Sequence, residues 1–320
     1  MIVGGAGFIG GHFTDRLLSS TDTERVTIYD NFSSGRDWHL EQHLGDSRLS
    51  VVRAEVADIE ALSAAAAGHD TVIHLASNPD IARAMTDPAI DFHEGTRLTH
   101  CVAEAVRRAQ VPLVLYASGS GVYGDLGEFA VAEDHGPLEP VSTYGASKLA
   151  GEVLLGAYAH MFGGRVLAFR FANVVGPRQT HGVGFDFVRR LLAEPSTLDV
   201  LGDGTQSKSY IHVTDVISAV LFAADHAPPR PFTAFNVGTG DYITVREIAE
   251  LAIEVVGLAP ESVKVTYGTA DRGWKGDVPV MRINSDRIAA LGWQCARDTR
   301  SALRASLESM LVDARAGRLT

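Results

Sequence analysis

The chain has 320 residues, 46% of them hydrophobic, and a formal net charge of −11. This length predicts a large core in one domain or in two, and no apolar run reaches the roughly 18–20 residues that a membrane-spanning helix needs. The acidic balance, without a lysine- or arginine-rich run, excludes nucleic acid as an expected partner. The only cysteines, Cys101 and Cys295, provide neither a disulfide framework nor a zinc spacing. No signal peptide is recognisable, so the sequence predicts a cytoplasmic protein. We also expect the protein to bind no metal.

Short β-branched runs alternate with segments of helical periodicity through the first half of the chain. After a short strand at the first three residues, strands are predicted at 25–30, 50–53, 71–76, 114–117 and 166–171. Helices are predicted between them, near 9–20, 58–67, 92–110 and 145–162. This alternation predicts βαβ crossovers and therefore an α/β fold with a doubly wound parallel sheet of the Rossmann type.

Beyond about residue 175 the spacing changes and turn sequences become dense. A helix is predicted to begin at Thr244, where T-V-R-E provides a hydroxyl N-cap and a glutamate three residues later. Another helix is predicted over about 299–314. These patterns predict a nucleotide-binding domain over residues 1–172, to which about 210–240 return, and a smaller α/β lobe over 173–320.

A glycine-rich loop, G-G-A-G-F-I-G at 4–10, lies between the first predicted strand and the first predicted helix. Gly4 permits a tight turn, Gly7 lets a pyrophosphate approach the backbone, and Gly10 lets the helix pack on the strand. The helix N-terminus offers N–H groups to the phosphates. Asp30 ends the next strand, 20 residues after Gly10, where a carboxylate accepts hydrogen bonds from a ribose diol and repels a 2′-phosphate. The spacing predicts dinucleotide binding, with NAD preferred over NADP.

The segment S-T-Y-G-A-S-K at 142–148 begins a predicted helix and places Tyr144 and Lys148 four residues apart, on one helix face. A lysine ammonium beside a phenol, with an oxidised nicotinamide nearby, favours the phenolate. The pKa of Tyr144 is therefore expected to lie below its ordinary value of about 10. Such a tyrosine accepts a hydroxyl proton as a hydride leaves the same carbon atom. Together with a nicotinamide site, the pair indicates a redox step at a secondary alcohol.

Further motifs occur in the order that one enzyme family shows. They are Y-D-N at 29–31, H-L-A-S at 74–77, V-Y-G-D at 122–125, A-N-V-V-G-P-R at 172–178, G-D-G-T-Q at 202–206, D-R-G-W-K-G-D-V-P at 271–279 and L-G-W at 291–293. With the glycine loop and Y-G-A-S-K, they resemble the extended short-chain dehydrogenase/reductase family of NAD-dependent epimerases and dehydratases. Within that family the chain resembles the UDP-glucose (UDP-galactose) 4-epimerases.

The resemblance implies an isomerase that inverts C4 of a UDP-sugar through a transient 4-keto sugar, with Tyr144 as the proton acceptor and the hydride held on NAD. It also implies a homodimer that pairs helices 92–110 and 145–162, both rich in apolar and small residues. Cofactor contacts are expected from Gly4, Gly7, Phe8, Ile9, Gly10, Asp30, Asn31, Ser34, Glu55, Val56, Leu75, Ala76, Tyr144 and Lys148. Contacts to the UDP-sugar are expected from Asn173, Asp186, Phe187, Lys208, Arg272 and Asp277.

The family's hydroxyl for the sugar O4 stands four residues before the V-Y-G tyrosine, and here that position is Gly119. Ser118 and Ser120 flank it. Ser120 has glycine on both sides and therefore the freer backbone, so it is the first candidate for the missing hydroxyl and Ser118 the second. Tyr123 is expected to line the sugar pocket.

Three other functions stay open at this point. Dehydratases of the family carry an Asp-Glu pair directly after the O4 hydroxyl, but Ser120 and Gly121 stand there. Elimination therefore has no evident catalyst here, and a 4,6-dehydratase or a 4-ketoreductase is only the enzymatic alternative. A non-catalytic dinucleotide-binding regulator is the alternative without chemistry. The sequence does not decide which UDP-sugar is used.

Overall fold

In a computed structural model of the chain, residues 1–319 are described and fall into two compact units. Unit 1 comprises Met1–Val122, Thr143–Arg170 and Ile217–Phe235. Unit 2 comprises Tyr123–Ser142, Phe171–Val216 and the chain from Asn236 onward. Which ligand each part of the chain binds remains a prediction.

The strands follow the alternation that the sequence predicts. They are β1 (Ile2–Val3), β2 (Val26–Asp30), β3 (Leu49–Arg53), β4 (Thr71–His74), β5 (Leu113–Gly119), β6 (Ala130–Val131), β7 (Arg165–Phe171), β8 (Asn173–Val175), β9 (Thr197–Val200), β10 (Ser207–Lys208), β11 (Tyr210–His212), β12 (Phe232–Val237), β13 (Ile243–Thr244), β14 (Lys264–Tyr267) and β15 (Arg282–Ile283).

The α-helices are α1 (Phe8–Leu18), α2 (Ile59–Ala66), α3 (Leu98–Ala109), α4 (Thr143–Phe162), α5 (Val183–Ala193), α6 (Val213–His226), α7 (Val245–Val256), α8 (Asp286–Ala289) and α9 (Thr299–Arg315). Short 3₁₀ turns cover Asp37–His39, Glu41–His43, Ile81–Met85, Ser120–Tyr123 and Pro260–Ser262. Among residues 1–319, no helix has the length and hydropathy that crossing a membrane requires.

Unit 1 carries a seven-stranded parallel sheet in the order β12-β7-β5-β4-β1-β2-β3, which confirms the predicted Rossmann-type fold. β1 pairs in parallel with β2 on one side and with β4 on the other, so the direction of winding reverses at β1. In such sheets a crevice opens beside the carboxyl ends of the strands at the reversal. The glycine loop after β1 and the segment after β4 therefore border the place where a dinucleotide binds in this fold.

The predicted helix 92–110 consists of two parts. A π-helical turn covers Phe92–Arg97, and α3 follows it directly. A Cβ atom on Gly95 would lie 2.6 Å from the Ser147 Oγ of α4, so the glycine permits a close approach between this turn and α4. Hydrophobic periodicity does not separate a π-turn from the α-helix that continues it, because both present one apolar face.

Helices of unit 2 pack around a separate hydrophobic core. Its buried residues include Val188 and Leu191 of α5, Ile248 and Leu251 of α7, and Leu307 of α9. The predicted start of α7 is confirmed. The Thr244 side chain accepts a hydrogen bond from the Glu247 backbone, and the Glu247 carboxylate accepts one from the Thr244 backbone.

Candidate active site

The glycine loop makes a turn that only glycine fits at two of its positions. Gly4 has a φ of +79°, and a Cβ there would lie 2.7 Å from the backbone nitrogen of Ala76. A Cβ on Gly10 would lie 2.6 Å from the Gly5 Cα. Gly7 caps α1 and has no side chain to accept from the first N–H groups of the helix. The loop can therefore present backbone N–H groups to a pyrophosphate at close range.

Asp30 fastens the loop to the end of β2. One carboxylate oxygen accepts a hydrogen bond from the Ala6 backbone at 2.9 Å, and the other accepts from the Phe32 backbone at 2.8 Å. Burial raises the pKa of Asp30, and the two backbone bonds act against that rise. Next to it, the Asn31 Nδ2 donates to the Glu55 Oε2 at 3.0 Å. Asn31 and Glu55, two of the predicted cofactor contacts, thus lie side by side just after the neighbouring strands β2 and β3.

The other predicted cofactor residues differ in burial. Leu75 and Ala76 follow β4, and both donate backbone hydrogen bonds to the Val3 carbonyl. Ser34 is exposed, whereas Val56 lies in a hydrophobic core cluster. Val56 can therefore offer a ligand little beyond its backbone.

Tyr144 and Lys148 stand one turn apart on α4, as their spacing predicts. Lys148 is buried, and its Nζ donates to the Ala117 carbonyl of β5 at 2.8 Å. The Nζ lies 5.5 Å from the centre of the Tyr144 ring. The lysine is thus tied to the carboxyl end of β5, beside the phenol.

Burial dominates the pKa values of this pair. Burial, together with the Asp91 carboxylate, raises the pKa of Tyr144 to about 12, against the effect of a hydrogen bond with the Ser77 side chain. Burial also lowers the pKa of Lys148 to about 8, against the effect of Asp91. Desolvation of the phenolate is the largest effect on Tyr144 in the chain by itself, and a lower pKa in the NAD-bound protein stays a prediction. At neutral pH Tyr144 is a phenol and Lys148 is mostly cationic.

The serines at the end of β5 have different surroundings. Ser118 is buried, and its Oγ donates to the Glu152 Oε1 of α4 at 2.5 Å. Ser120 is partly exposed and begins a 3₁₀ turn. A Cβ added to Gly119 would meet nothing within 4 Å, so this position has room for a side chain. The Ser118 hydroxyl is hydrogen-bonded inside unit 1, so Ser120 is the better candidate for a ligand contact.

A buried ion pair holds α4 against the sheet of unit 1. Arg170 of β7 donates from its Nε and Nη2 to the two oxygens of Glu152, at 3.0 and 2.7 Å. Both side chains are at most 5% exposed. Together with the bond from Ser118, the pair connects α4 to β5 and β7 one turn beyond Lys148.

The predicted substrate residues of unit 2 partly pair with one another. The Lys208 Nζ donates to the Asp277 Oδ1 at 2.6 Å and lies 5.9 Å from the centre of the Trp274 ring. Arg272 binds Asp271, with its Nε 3.0 Å from Oδ1, and comes within 3.8 Å of Asp125. These basic groups and carboxylates form one charged surface region, where an anionic ligand would compete with the carboxylates.

Three other residues of unit 2 take different positions. Asn173 is exposed on β8, and Asp186 is partly exposed on α5 beside Arg189. Phe187 is buried in the core of the unit. Tyr123 is also buried and donates from its hydroxyl to the Asn236 Oδ1 at 2.8 Å, so it belongs to the core and does not line a pocket as predicted.

Comparison with known proteins identifies the family. Residues 1–238 match the NAD dependent epimerase/dehydratase family. The chain belongs to this family. It is 34% identical over 301 residues to a UDP-glucose 4-epimerase of Mycolicibacterium smegmatis, with 92% of each chain covered.

Solved structures of the NAD dependent epimerase/dehydratase family superpose on nearly the whole chain. One is a UDP-galactose 4-epimerase, with a TM-score of 0.84, 35% identity and 98% of each chain covered. Another is a dTDP-glucose 4,6-dehydratase from Streptomyces venezuelae with NAD bound, with a TM-score of 0.90, 26% identity and coverage of 100% of this chain and 99% of that one. NAD is the family's cofactor, and the close backbone approach at Gly4 and Gly10 together with the carboxylate of Asp30 fits it.

Sequence reasoning missed three residues that shape this site: Asp91, Glu152 and Arg170. A signal existed for two of them. Arg170 interrupts the otherwise apolar run V-L-A-F-R-F, and Glu152 follows Lys148 by one helical turn. A charged residue inside a predicted buried strand requires a partner, because an unpaired buried charge is very costly.

Proposed function

We propose that the chain is an NAD-dependent isomerase that epimerises a UDP-sugar at C4 through a transient 4-keto sugar. The observation that carries the proposal is the Tyr144–Lys148 pair of α4, held at the carboxyl end of β5 in the unit that contains the glycine loop. Similarity to UDP-glucose and UDP-galactose 4-epimerases over more than nine-tenths of the chain supports the choice of reaction.

Each residue of the site has its own role in the proposed epimerisation. The Tyr144 Oη takes the proton from the sugar's 4-hydroxyl and later returns it to O4. The Lys148 ammonium, fixed by the Ala117 carbonyl, stabilises the phenolate form of Tyr144, which accepts this proton and becomes the phenol. The backbone of the glycine loop and Asp30 hold the cofactor's pyrophosphate and ribose. Bound NAD supplies the hydride acceptor, which becomes the hydride donor when the sugar is reduced again.

In this proposal unit 2 binds the UDP part of the substrate. Lys208 and Arg272 face the diphosphate, and Asp277 accepts from the nucleotide ribose, with Asn173 and Asp186 as further contacts. A lysine at position 208 offers a point charge without the two-pronged hydrogen bonding of arginine. Phe187 contributes by supporting α5 from the core.

A 4,6-dehydratase is the second candidate, and the TM-score of 0.90 with a dTDP-glucose 4,6-dehydratase favours it. Elimination needs a general acid for the departing C6 hydroxyl and a base for the C5 proton. Ser120 and Gly121 stand directly after the O4 position and provide neither. Epimerisation needs neither group.

A single assay tests the proposal and its alternatives. The protein is incubated with NAD and, separately, with several UDP-hexoses, a UDP-hexuronate and their N-acetyl forms, and the products are identified by NMR. We expect the C4 epimer of at least one substrate and no net consumption of reductant. A 4-keto-6-deoxy product indicates a dehydratase, and consumption of NADH or NADPH indicates a ketoreductase. NAD binding without turnover of any sugar supports a regulator instead.

We also propose that the protein is a homodimer paired through α3 and α4. Apolar side chains on α4 support this, since Val153, Met161 and Phe162 are 63%, 71% and 53% exposed. Light scattering at micromolar protein is expected to give twice the chain mass, and Val153→Lys to give the monomer. Val312→Lys, at an equally exposed position of α9, is the matched control and should leave the dimer intact. A monomeric wild type contradicts the proposal.

A cytoplasmic location completes the proposal. It is supported by the two cysteines, Cys101 and Cys295, which are both free thiols. A protein of a reducing compartment has no need of disulfides. Cell fractionation with antibody detection tests this location.

A further inference from the structure

A buried carboxylate lies beside the catalytic helix and has no role in the proposal above. Asp91 is 1% exposed and directly precedes the π-turn. Its Oδ1 accepts a hydrogen bond from the Asn78 Nδ2 at 2.9 Å, and its Oδ2 accepts one from the Thr143 Oγ1 at 2.6 Å. Thr143 is the first residue of α4 and immediately precedes Tyr144.

Asn78, the hydrogen-bond donor to the Asp91 Oδ1, is itself held in place by the backbone of Asp80. The Asn78 Oδ1 accepts from the Asp80 backbone at 3.0 Å, and its Nδ2 also donates to the Asp80 carbonyl at 2.8 Å. The Asp91 carboxylate therefore joins the segment that follows β4 to the first turn of α4. Gly95, in the next turn, keeps the same segment close to Ser147 of α4.

We propose that Asp91 is a positioning residue for the reaction: it holds the first turn of α4 through Thr143 and places a fixed negative charge beside Tyr144 and Lys148. The catalytic consequence rests on the proposed function, whereas the placement of the charge does not. A displacement of the reacting group by about 1 Å can cost a hundredfold in rate, so a bond to the residue next to Tyr144 affects turnover.

The charge of Asp91 acts on both members of the pair. It raises the pKa of Tyr144 and the pKa of Lys148. Other titratable groups near α4 are coupled to the same pair. Burial lowers the pKa of His74, and Lys148 adds to that effect. Burial likewise raises the pKa of Tyr116, and Tyr144 and Glu152 add to that rise. A negative charge favours the protonated form of each neighbour, so its removal should make both Tyr144 and Lys148 release protons at lower pH.

Two substitutions distinguish the hydrogen bond between Asp91 and Thr143 from the negative charge of Asp91. Asp91→Asn removes the charge but can keep both hydrogen bonds, because the new amide oxygen accepts from Asn78 and the Thr143 hydroxyl turns to accept from the new amide nitrogen. Thr143→Val keeps the charge and removes one bond. Asp87→Asn removes a carboxylate of the same segment whose side chain is 49% exposed, and it is the matched control.

We expect Asp91→Asn to move the acid limb of the kcat–pH profile to lower pH by about half a unit or more. Thr143→Val should lower kcat by roughly tenfold or more at every pH without moving that limb. Asp87→Asn should do neither. Wild-type kcat in Thr143→Val overturns the positioning role. If Asp91→Asn does not fold, Thr143→Ser carries this test, because it retains the hydroxyl and must keep the turnover that Thr143→Val loses.

A direct titration separates this inference from the proposed function. The chain has four lysines, so a protein labelled with ¹³C at the lysine Cε gives few signals, and Lys148→Met assigns the one from Lys148. Its titration midpoint should lie near 8 in the wild type, lower in Asp91→Asn and unchanged in Thr143→Val. An unchanged midpoint in folded Asp91→Asn overturns the inference whether or not the protein epimerises a sugar. A lowered midpoint in a protein without epimerase activity supports the inference and counts against the proposed function alone.

Discussion

Tyr144 is the residue on which the proposed proton transfer depends. Burial raises the pKa of its phenol, so the phenolate form that accepts the sugar's proton depends on the positive charges of Lys148 and of the oxidised cofactor. Tyr144→Phe removes this oxygen and leaves the glycine loop intact. We expect it to bind NAD like the wild type while losing nearly all turnover. A variant that keeps more than a tenth of the rate, which is under about 1.4 kcal/mol of barrier, excludes Tyr144 as the catalytic base.

The two serines that flank Gly119 are expected to respond differently. If Ser120 provides the O4 contact, Ser120→Ala should lower turnover by roughly ten- to a hundredfold, or about 1.4–2.7 kcal/mol. Ser118→Ala should leave turnover nearly unchanged but lower the free energy of unfolding by about 1.5–3 kcal/mol, because its hydroxyl bonds to a buried carboxylate. Steady-state kinetics and denaturant unfolding measure the two effects. The opposite pattern moves the catalytic contact to Ser118.

Gly119→Ser is the companion to these variants, because it restores the hydroxyl that the family carries at this position. The open space around position 119 indicates that the side chain fits without displacing its neighbours. Turnover should rise if the sugar still reaches the same place. A folded but slower variant indicates a pocket arranged around a different sugar.

At the scale of elements, the Glu152–Arg170 pair connects α4 to the sheet. Glu152→Gln removes the charge of the buried carboxylate that pairs with Arg170, which should lower the free energy of unfolding by about 3–5 kcal/mol. Glu254→Gln breaks an exposed pair with Arg304 and should cost less than about 1 kcal/mol. Chemical denaturation of both variants gives the comparison. Equal small losses would mean that the buried pair does not anchor the helix.

At the scale of the whole molecule, buried His74 makes the free energy of unfolding depend on pH. Burial, aided by the charge of Lys148, lowers the pKa of His74 to about 3, whereas an unfolded histidine titrates near 6.5. The unfolded chain therefore binds more protons between these pH values, and the free energy of unfolding must fall as the pH drops from about 6.5 towards 3. The contribution of one such group is about 1.4 kcal/mol per pH unit.

Denaturant unfolding at several pH values between 3 and 6.5 tests this dependence. His74→Phe should reduce its slope by about one proton, and exposed His93→Gln should leave the slope as it is. An equal slope in wild type and His74→Phe would show that His74 takes up its proton in the folded state as readily as in the unfolded chain.

Local physics made much of this protein predictable from its sequence. The tight turn at Gly4, the four-residue spacing of Tyr144 and Lys148, the capping box at Thr244 and the alternating strands all depend on residues close together in the chain. Backbone geometry and hydrophobic periodicity act over a few residues, so these features follow from the sequence by itself.

Tertiary structure decided how those residues are surrounded. It brought Asp91 to Thr143, 52 residues away in the chain, and it joined Ser118 and Arg170 to Glu152. It buried Tyr144, which raises the pKa of the phenol, and it placed Tyr123 and Phe187 in cores. Desolvation and long-range hydrogen bonds depend on which segments pack together, and no spacing within a single segment specifies that.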